Sequence, residues 1–263
     1  TMQLADSHNH IHFSECDTSA VLMRAHCAGV VNQLIVGIDP DDSRRALTVA
    51  ESASGLYAAV GIHPQLAGQY SPRDVQALAD MASSTVVAVG ETGFDLYRTP
   101  TTEELQAELF RSHIDLARRL KLPLVIHDRQ AHAQTLSVLD EADGWSLGGV
   151  MHCFSGDVDL ARRVLDKGFY LSIPGVITYK NAHDLVAAAA YAPPERLLIE
   201  TDAPYLSPQR YRGRPNEPAY LVETLTCLAR IKEIDVDELA AITVQNFHTL
   251  FLKNHDERRR MDD

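Results

Sequence analysis

The chain has 263 residues, 45% of them apolar, and a formal net charge of −12 at neutral pH. That length suits one (β/α)8 barrel of roughly 250 residues as well as two smaller domains, and no stretch approaches the roughly 18 uninterrupted apolar residues of a membrane span. The acidic balance weighs against broad electrostatic capture of nucleic acid, so a phosphate substrate needs a local positive site.

In chain order, short apolar runs read as buried strands: Gln3 to Asp6, Leu34 to Gly37, Tyr57 to Ile62, Val86 to Gly90, Leu124 to Ile126, Gly149 to Met151, Tyr170 to Ile173 and Leu197 to Glu200. They are separated by about 18 to 33 residues, the room a crossover helix needs. Between them the period becomes helical. Ser43 to Ser52, Pro72 to Met81, Arg129 to Glu141, Val158 to Lys167 and Asn181 to Ala190 are expected helices. Thr101 and Glu104 have the spacing of a capping box, followed by Leu105, Leu109, Leu116 and Leu120 at helical spacing until Leu122-Pro123. Two helices follow the last strand, Pro218 to Ile231 and Asp237 to Leu252, the second with Asp235 and Glu238 as a capping box. This alternation predicts a parallel sheet with both faces covered. An open doubly wound sheet has the same alternation, but ligands contributed by the first and last strands require those strands to be close, which a (β/α)8 TIM barrel provides. We expect a single barrel domain over 1–263, with its core at about 4–252 and a charged, frayed tail from His255 to Asp263.

The N-terminus lacks a basic segment followed by an apolar one, and Cys16, Cys27, Cys153 and Cys227 form no CxxC pair. Free thiols in a reducing cytoplasm are the expectation. Neither a membrane nor an obligatory protein partner is expected.

Side chains of metal-binding type stand at the ends of these runs: His8, His10, Glu91, His127, His152 and Asp202, with His63 among them. In an extended segment residues i and i+2 face one side, so His8 and His10 can reach one metal. Glu91 ends an apolar strand, where a carboxylate is expensive unless paired or metal-bound. Taken singly, His127 and His152 suit hydrogen-bonded core histidines, and Asp202 suits a turn cap. The conjunction decides, since ordinary barrels do not end most strands in His, Glu or Asp. His12 reads as a rim residue. Arg129, Arg212 and Asn216 are candidate phosphate binders, and His63 is assigned to substrate contact or leaving-group protonation rather than to metal.

The segments Asp6-Ser7-His8-Asn9-His10, Gly61-Ile62-His63-Pro64 and Gly90-Glu91-Thr92-Gly93-Phe94-Asp95 carry a resemblance. So do His152-Cys153-Phe154-Ser155-Gly156, Gly175 to Ala182, Glu200-Thr201-Asp202-Ala203-Pro204-Tyr205-Leu206 and Arg212-Gly213-Arg214-Pro215-Asn216-Glu217-Pro218. Over about residues 4 to 252 the chain closely resembles the TatD-type metal-dependent deoxyribonucleases, which use an amidohydrolase-like barrel. It departs at His12, where the family usually has an Asp, and at Ile173-Pro174. The resemblance implies two adjacent divalent metals, one held by His8, His10 and Asp202, the other by His127 and His152, with Glu91 bridging. It implies hydrolysis of DNA phosphodiester bonds by metal-activated water, 3′ to 5′ on single strands, with Asp202, Glu91 and His63 catalytic. Four imidazoles suit Zn²⁺ or Mn²⁺ better than Mg²⁺. One rival is a related barrel hydrolase acting on small esters or amides, or on aminoacyl-tRNA. Such barrels often bridge their metals with a carboxylated lysine after the fourth strand, where this chain has Glu91. The other rival is a non-catalytic binding barrel, which a complete ligand set disfavours.

Overall fold

The computed structural model describes residues 2–13, 17–97 and 101–253. Cys16 and the tail from His255 lie outside the described residues. Among those described, one eight-stranded sheet runs in the order β1 (Leu4–Asn9), β2 (Val30–Val36), β3 (Leu56–Val60), β4 (Val86–Asp95), β5 (Leu124–Arg129), β6 (Gly149–Met151), β7 (Tyr170–Ile173) and β8 (Leu197–Ile199). Its pairings are parallel, and helices alternate with the strands. This is the expected (β/α)8 fold. The chain divides into two compact units, Thr1–Ile35 with Cys153–Thr249 and Val36–His152 with Leu250–Asp263.

In the first unit, β1 lies beside β8. The Ser7 hydroxyl donates to the Ile199 carbonyl at 3.0 Å, the Asp202 N–H to the His8 carbonyl at 2.9 Å, and the His10 N–H to the Ala203 carbonyl at 2.7 Å. The helix α9 (Val236–Phe247) packs on both strands, and its buried Asn246 amide donates to the Pro194 and Leu197 carbonyls, each at 2.8 Å. Asp235 caps it as expected, accepting the Asp237 N–H at 2.9 Å and the Glu238 N–H at 3.3 Å. The helix α1 (Thr18–Cys27), absent from the sequence reading, buries only Val21 and Ala25, a stripe too thin to stand out.

In the second unit, β4 and β5 run on past their apolar cores to Asp95 and Arg129. Close passage of β4 over β5 depends on glycine. A Cβ at Gly90 (φ +148°) would stand 2.5 Å from the Val125 carbonyl oxygen, and one at Gly93 (φ +135°) would collide with the His127 carbonyl.

The helices of this unit are α2 (Pro40–Ala50), α3 (Pro72–Ala77), α4 (Glu103–Leu120) and α5 (His132–Glu141). Two corrections concern α4. Its N-cap is Thr102, whose hydroxyl accepts the Leu105 N–H at 3.3 Å, rather than Thr101. Leu105 is 40% exposed, and the buried residues are Gln106, Leu109, Phe110, Ser112, His113, Ile114, Leu116 and Ala117. The register shifts because Gln106 and His113, both completely buried, find partners inside. Gln106 holds the Asp95 main chain at both ends, accepting its N–H at 2.8 Å and donating to its carbonyl at 3.0 Å.

His113 accepts the Ile62 N–H on Nε2 at 2.9 Å, with Nδ1 2.8 Å from the Leu109 carbonyl. Burial pushes its pKa from 6.5 down to about 4, against the Leu109 hydrogen bond. The unfolded chain therefore binds a proton in that window that the folded chain refuses. The residue's stabilising contribution is full above pH 6.5 and falls as the pH drops towards 4, a swing of about 3 kcal/mol. Urea unfolding of wild type and His113→Leu checks this. The advantage of the wild type at neutral pH is expected to shrink as the pH falls, and a constant difference contradicts it.

Among the described residues, Cys27, Cys153 and Cys227 are free thiols, and no helix is long and apolar enough to cross a membrane.

Candidate metal centre

Parallel strands buried on both faces leave their C-terminal ends as the place for polar groups, and the ligand candidates stand there. In the second unit Glu91 lies within β4, His127 within β5, and His152 directly after β6. The Glu91 Oε2 is 2.9 Å from the His152 Nε2 and 3.4 Å from the His127 Nδ1, and the two imidazole nitrogens are 3.3 Å apart. Around a tetrahedral ion that binds N and O at about 2.0–2.2 Å, neighbouring donors are about 3.3–3.6 Å apart. Three donor atoms at such spacing, two from imidazoles and one from a carboxylate, fit one divalent cation. Glu91 is 4% exposed. Burial would raise its pKa, but the His63 and His152 charges and hydrogen bonds from His127 and His152 outweigh this and hold it well below the usual range. The carboxylate is therefore ionised, as a ligand must be.

Two neighbours, His63 and Asp95, flank this trio. The His63 Nδ1 accepts the Gln65 N–H at 3.2 Å, which puts the proton of the neutral ring on Nε2, 3.9 Å from the Glu91 Oε1. The His127 Nε2 is 3.2 Å from the Asp95 Oδ2, which also accepts the Gln65 amide at 2.8 Å. Burial opposes ionisation of Asp95, yet His127 beside it and the Tyr97 N–H bring its pKa down to about 2. The pKa of His127 is raised: burial opposes this, and Asp95 and Glu91 prevail.

In the first unit, the His8 Nε2 is 3.2 Å from the His10 Nε2, and the Asp202 Oδ1 is 3.8 Å and 3.5 Å from these two nitrogens. This second trio is again two imidazoles and a carboxylate, with one edge longer than the tetrahedral spacing. The Asp202 backbone is left-handed (φ +54°), uncommon outside glycine and tolerated by Asp. Its loop is tied down by Asp6 and Asn216. The completely buried Asp6 accepts the Thr201 N–H at 2.9 Å and the Thr201 hydroxyl at 2.6 Å. Burial pushes its pKa up to about 7, against hydrogen bonds from Thr201, Asn9 and His8. At the turn after His152, the buried Glu200 accepts the Cys153 N–H at 2.8 Å.

The sequence matches the family model of TatD related DNases from residue 5 to 252. The chain belongs to the TatD family. Among its TatD relatives, an uncharacterized metal-dependent hydrolase of Bacillus subtilis, YabD, is 37% identical over 254 residues, 95% of this chain and all of that protein. A Salmonella typhimurium protein named 3′-5′ ssDNA/RNA exonuclease TatD is 35% identical over 89% of this chain and 93% of its own length. The crystal structure of YJJV, a TatD homolog from Escherichia coli K12, superposes with a TM-score of 0.89 at 32% identity, covering 95% of this chain and 98% of that one. This TatD protein is accordingly a metal-dependent hydrolase.

Within the first unit Asp202 stands beside His8 and His10, and within the second His63, His127 and His152 stand around Glu91. The phosphate-binding candidates fare differently. Arg129 is exposed, its guanidinium 4.3 Å from the centre of the Tyr97 ring, and Arg212 is exposed at 5.0 Å from the Tyr179 ring. Asn216 is buried and gives both amide hydrogens to the Asp202 loop, at 2.7 Å to the Thr201 carbonyl and 2.8 Å to the Tyr205 carbonyl. Both its donors are engaged in shaping that loop. Asp6 and Asp95, both quoted within motifs, were given no role by sequence reasoning. A buried carboxylate two residues before a ligand was the available signal for Asp6.

Proposed function

We propose that this protein is a two-metal nuclease that hydrolyses phosphodiester bonds in single-stranded DNA from the 3′ end, working as one hydrolase domain in the cytoplasm. The observation that carries the reading is the pair of ligand trios, each of two imidazoles and one carboxylate. Divalent ions bound there would supply the positive charge that an acidic chain otherwise lacks, polarise a phosphoryl oxygen and bring the pKa of water towards 7. The imidazole-rich sets fit Zn²⁺ or Mn²⁺ better than Mg²⁺. In this reading Glu91 would serve as a ligand to both ions.

The chain's own residues do the rest. Asp202 accepts the proton of the attacking water. His63, with its proton held on Nε2 by the Gln65 contact, donates to the phosphate or the leaving oxygen. Arg129 and Arg212 lie over tyrosine rings at exposed positions, where a guanidinium meets phosphate and an aromatic face meets a base. Tyr205 in the Asp202 loop, 53% exposed and edge-on to His10, offers a further ring to a base. Such stacking accepts any unpaired base, in keeping with single strands.

A panel of end-labelled single- and double-stranded oligonucleotides, run beside small esters, amides and aminoacyl-tRNA, tests the reading. Stepwise shortening of single strands from the 3′ end is expected, and turnover confined to the esters or amides contradicts it. Arg212→Ala is expected to raise KM several-fold and flatten the salt dependence with metal content unchanged, because a guanidinium has donors only. Metal loss in that variant would refute the assignment.

A further inference from the structure

We infer that Asp95 is the positioning residue that turns His127 towards the metal, and that Gln106 on α4 holds Asp95 for that purpose. This rests on the reading of Glu91, His127 and His152 as a ligand set. An imidazole ligand offers one nitrogen and needs its other N–H fixed. The His127 Nδ1 faces Glu91 and His152 at 3.4 and 3.3 Å, while its Nε2 faces the Asp95 Oδ2 at 3.2 Å. A carboxylate at that place accepts an N–H, which leaves the Nδ1 lone pair for metal.

Asp95 is 1% exposed and held on every side. The Gln65 amide donates to the same Oδ2 at 2.8 Å, and the Tyr97 N–H to Oδ1 at 3.0 Å. Gln106 clamps the Asp95 main chain from α4 with its paired amide contacts at 2.8 and 3.0 Å. A buried glutamine on the inner stripe of a helix costs free energy unless both its groups are satisfied, and here one residue's backbone satisfies them.

His63, Asp95 and His127 also stand close enough to be weighed as a metal set of their own. That use competes with the one proposed. It would draw on the His127 Nε2 while Nδ1 serves the other trio, and the Asp95 Oδ2 already accepts the Gln65 amide. Hydrogen-bonded support accounts for both contacts without a further ion.

The test compares wild type with Asp95→Ala and Gln106→Met. The ring-nitrogen tautomer of His127 is read by NMR in metal-free protein, Mn²⁺ and Zn²⁺ affinity by chelator competition, and stoichiometry at saturating metal by mass spectrometry. Wild-type His127 is expected to carry a proton on Nε2 towards Asp95, any proton on Nδ1 towards Glu91 being displaced when metal binds. In Asp95→Ala the tautomers mix and affinity at the weakened position falls about 10- to 100-fold, with stoichiometry at saturation unchanged. Gln106→Met is expected to shift both readouts in the same direction by less. Unchanged tautomer and affinity in Asp95→Ala overturn the inference, as does loss of an ion at saturation, which would make Asp95 a ligand. Unchanged affinity in Gln106→Met removes Gln106 from it. Should Asp95→Ala fail to fold, Asp95→Asn keeps the size with a weaker acceptor, and an unaltered tautomer and affinity there are equally fatal. If wild type binds no metal, the ligand reading fails, while the tautomer comparison still decides whether Asp95 orients His127.

Discussion

Glu91→Gln is expected to empty or weaken at least one metal position and to lower kcat by about 100-fold or more, with the fold intact. The side chain keeps its shape but loses its charge and one good ligand atom. Its Oε2 lies between the His127 Nδ1 and the His152 Nε2, at 3.4 and 2.9 Å, so one trio loses its only anion. The proposal gives the other oxygen to a second ion, and Glu91→Ala is therefore expected to be worse on both counts. The loss has a counterpart in stability. Without metal the wild type buries an ionised Glu91, offset by the surrounding imidazoles, and the neutral amide leaves those imidazoles without their partner. Elemental mass spectrometry and oligonucleotide hydrolysis, run on wild type and variant together, decide the matter. Full occupancy with near-normal hydrolysis sinks the shared-carboxylate role.

Asp202→Asn separates two duties. As a ligand Asp202 completes the His8 and His10 set, with its Oδ1 3.8 and 3.5 Å from their Nε2 atoms. As proton acceptor it needs its negative charge. An amide retains some ligand capacity and has no useful basicity, so kcat is expected to fall about 1000-fold while KM moves little. Metal content retained with kcat lost supports the proton role. Metal lost in proportion to kcat reduces Asp202 to a ligand, and unchanged kcat contradicts both. The backbone around it offers a control. Asn216→Ala removes the two hydrogen bonds to the Thr201 and Tyr205 carbonyls and is expected to loosen the loop, lowering thermal stability by roughly 1–3 kcal/mol, without abolishing metal binding.

How much was legible in the sequence follows from where polar groups are affordable. In a sheet covered on both faces, a histidine or carboxylate at a strand's end interrupts an apolar run and announces itself, so His8, Glu91, His127 and His152 stood out. The residues that hold them did not. Gln106 and His113 lie on the inner stripe of α4, and a reading that assigns apolar side chains to the inside chose Leu105 instead, which is exposed. Their distant partners are the Asp95 N–H and carbonyl at the end of β4 and the Ile62 N–H just after β3, contacts that no local spacing encodes. Asp95 was visible as part of a motif, yet its task depends on a ring nitrogen 32 positions away in sequence. Asn216 shows the converse. Its place between Arg212 and the last helices suggested a phosphate contact, and only the folded loop reveals carbonyls within reach of its amide. The helix α1 was missed because two buried side chains make no periodic signal.

The most direct test measures metal content and phosphodiester hydrolysis on the same purified protein, before and after chelation and after adding Zn²⁺ or Mn²⁺ back. Two divalent ions per chain, with shortening of a single-stranded oligonucleotide that is lost on chelation and restored with metal, is the predicted result. Hydrolysis that survives complete metal removal, or full metal occupancy with every phosphodiester left intact, would contradict the account.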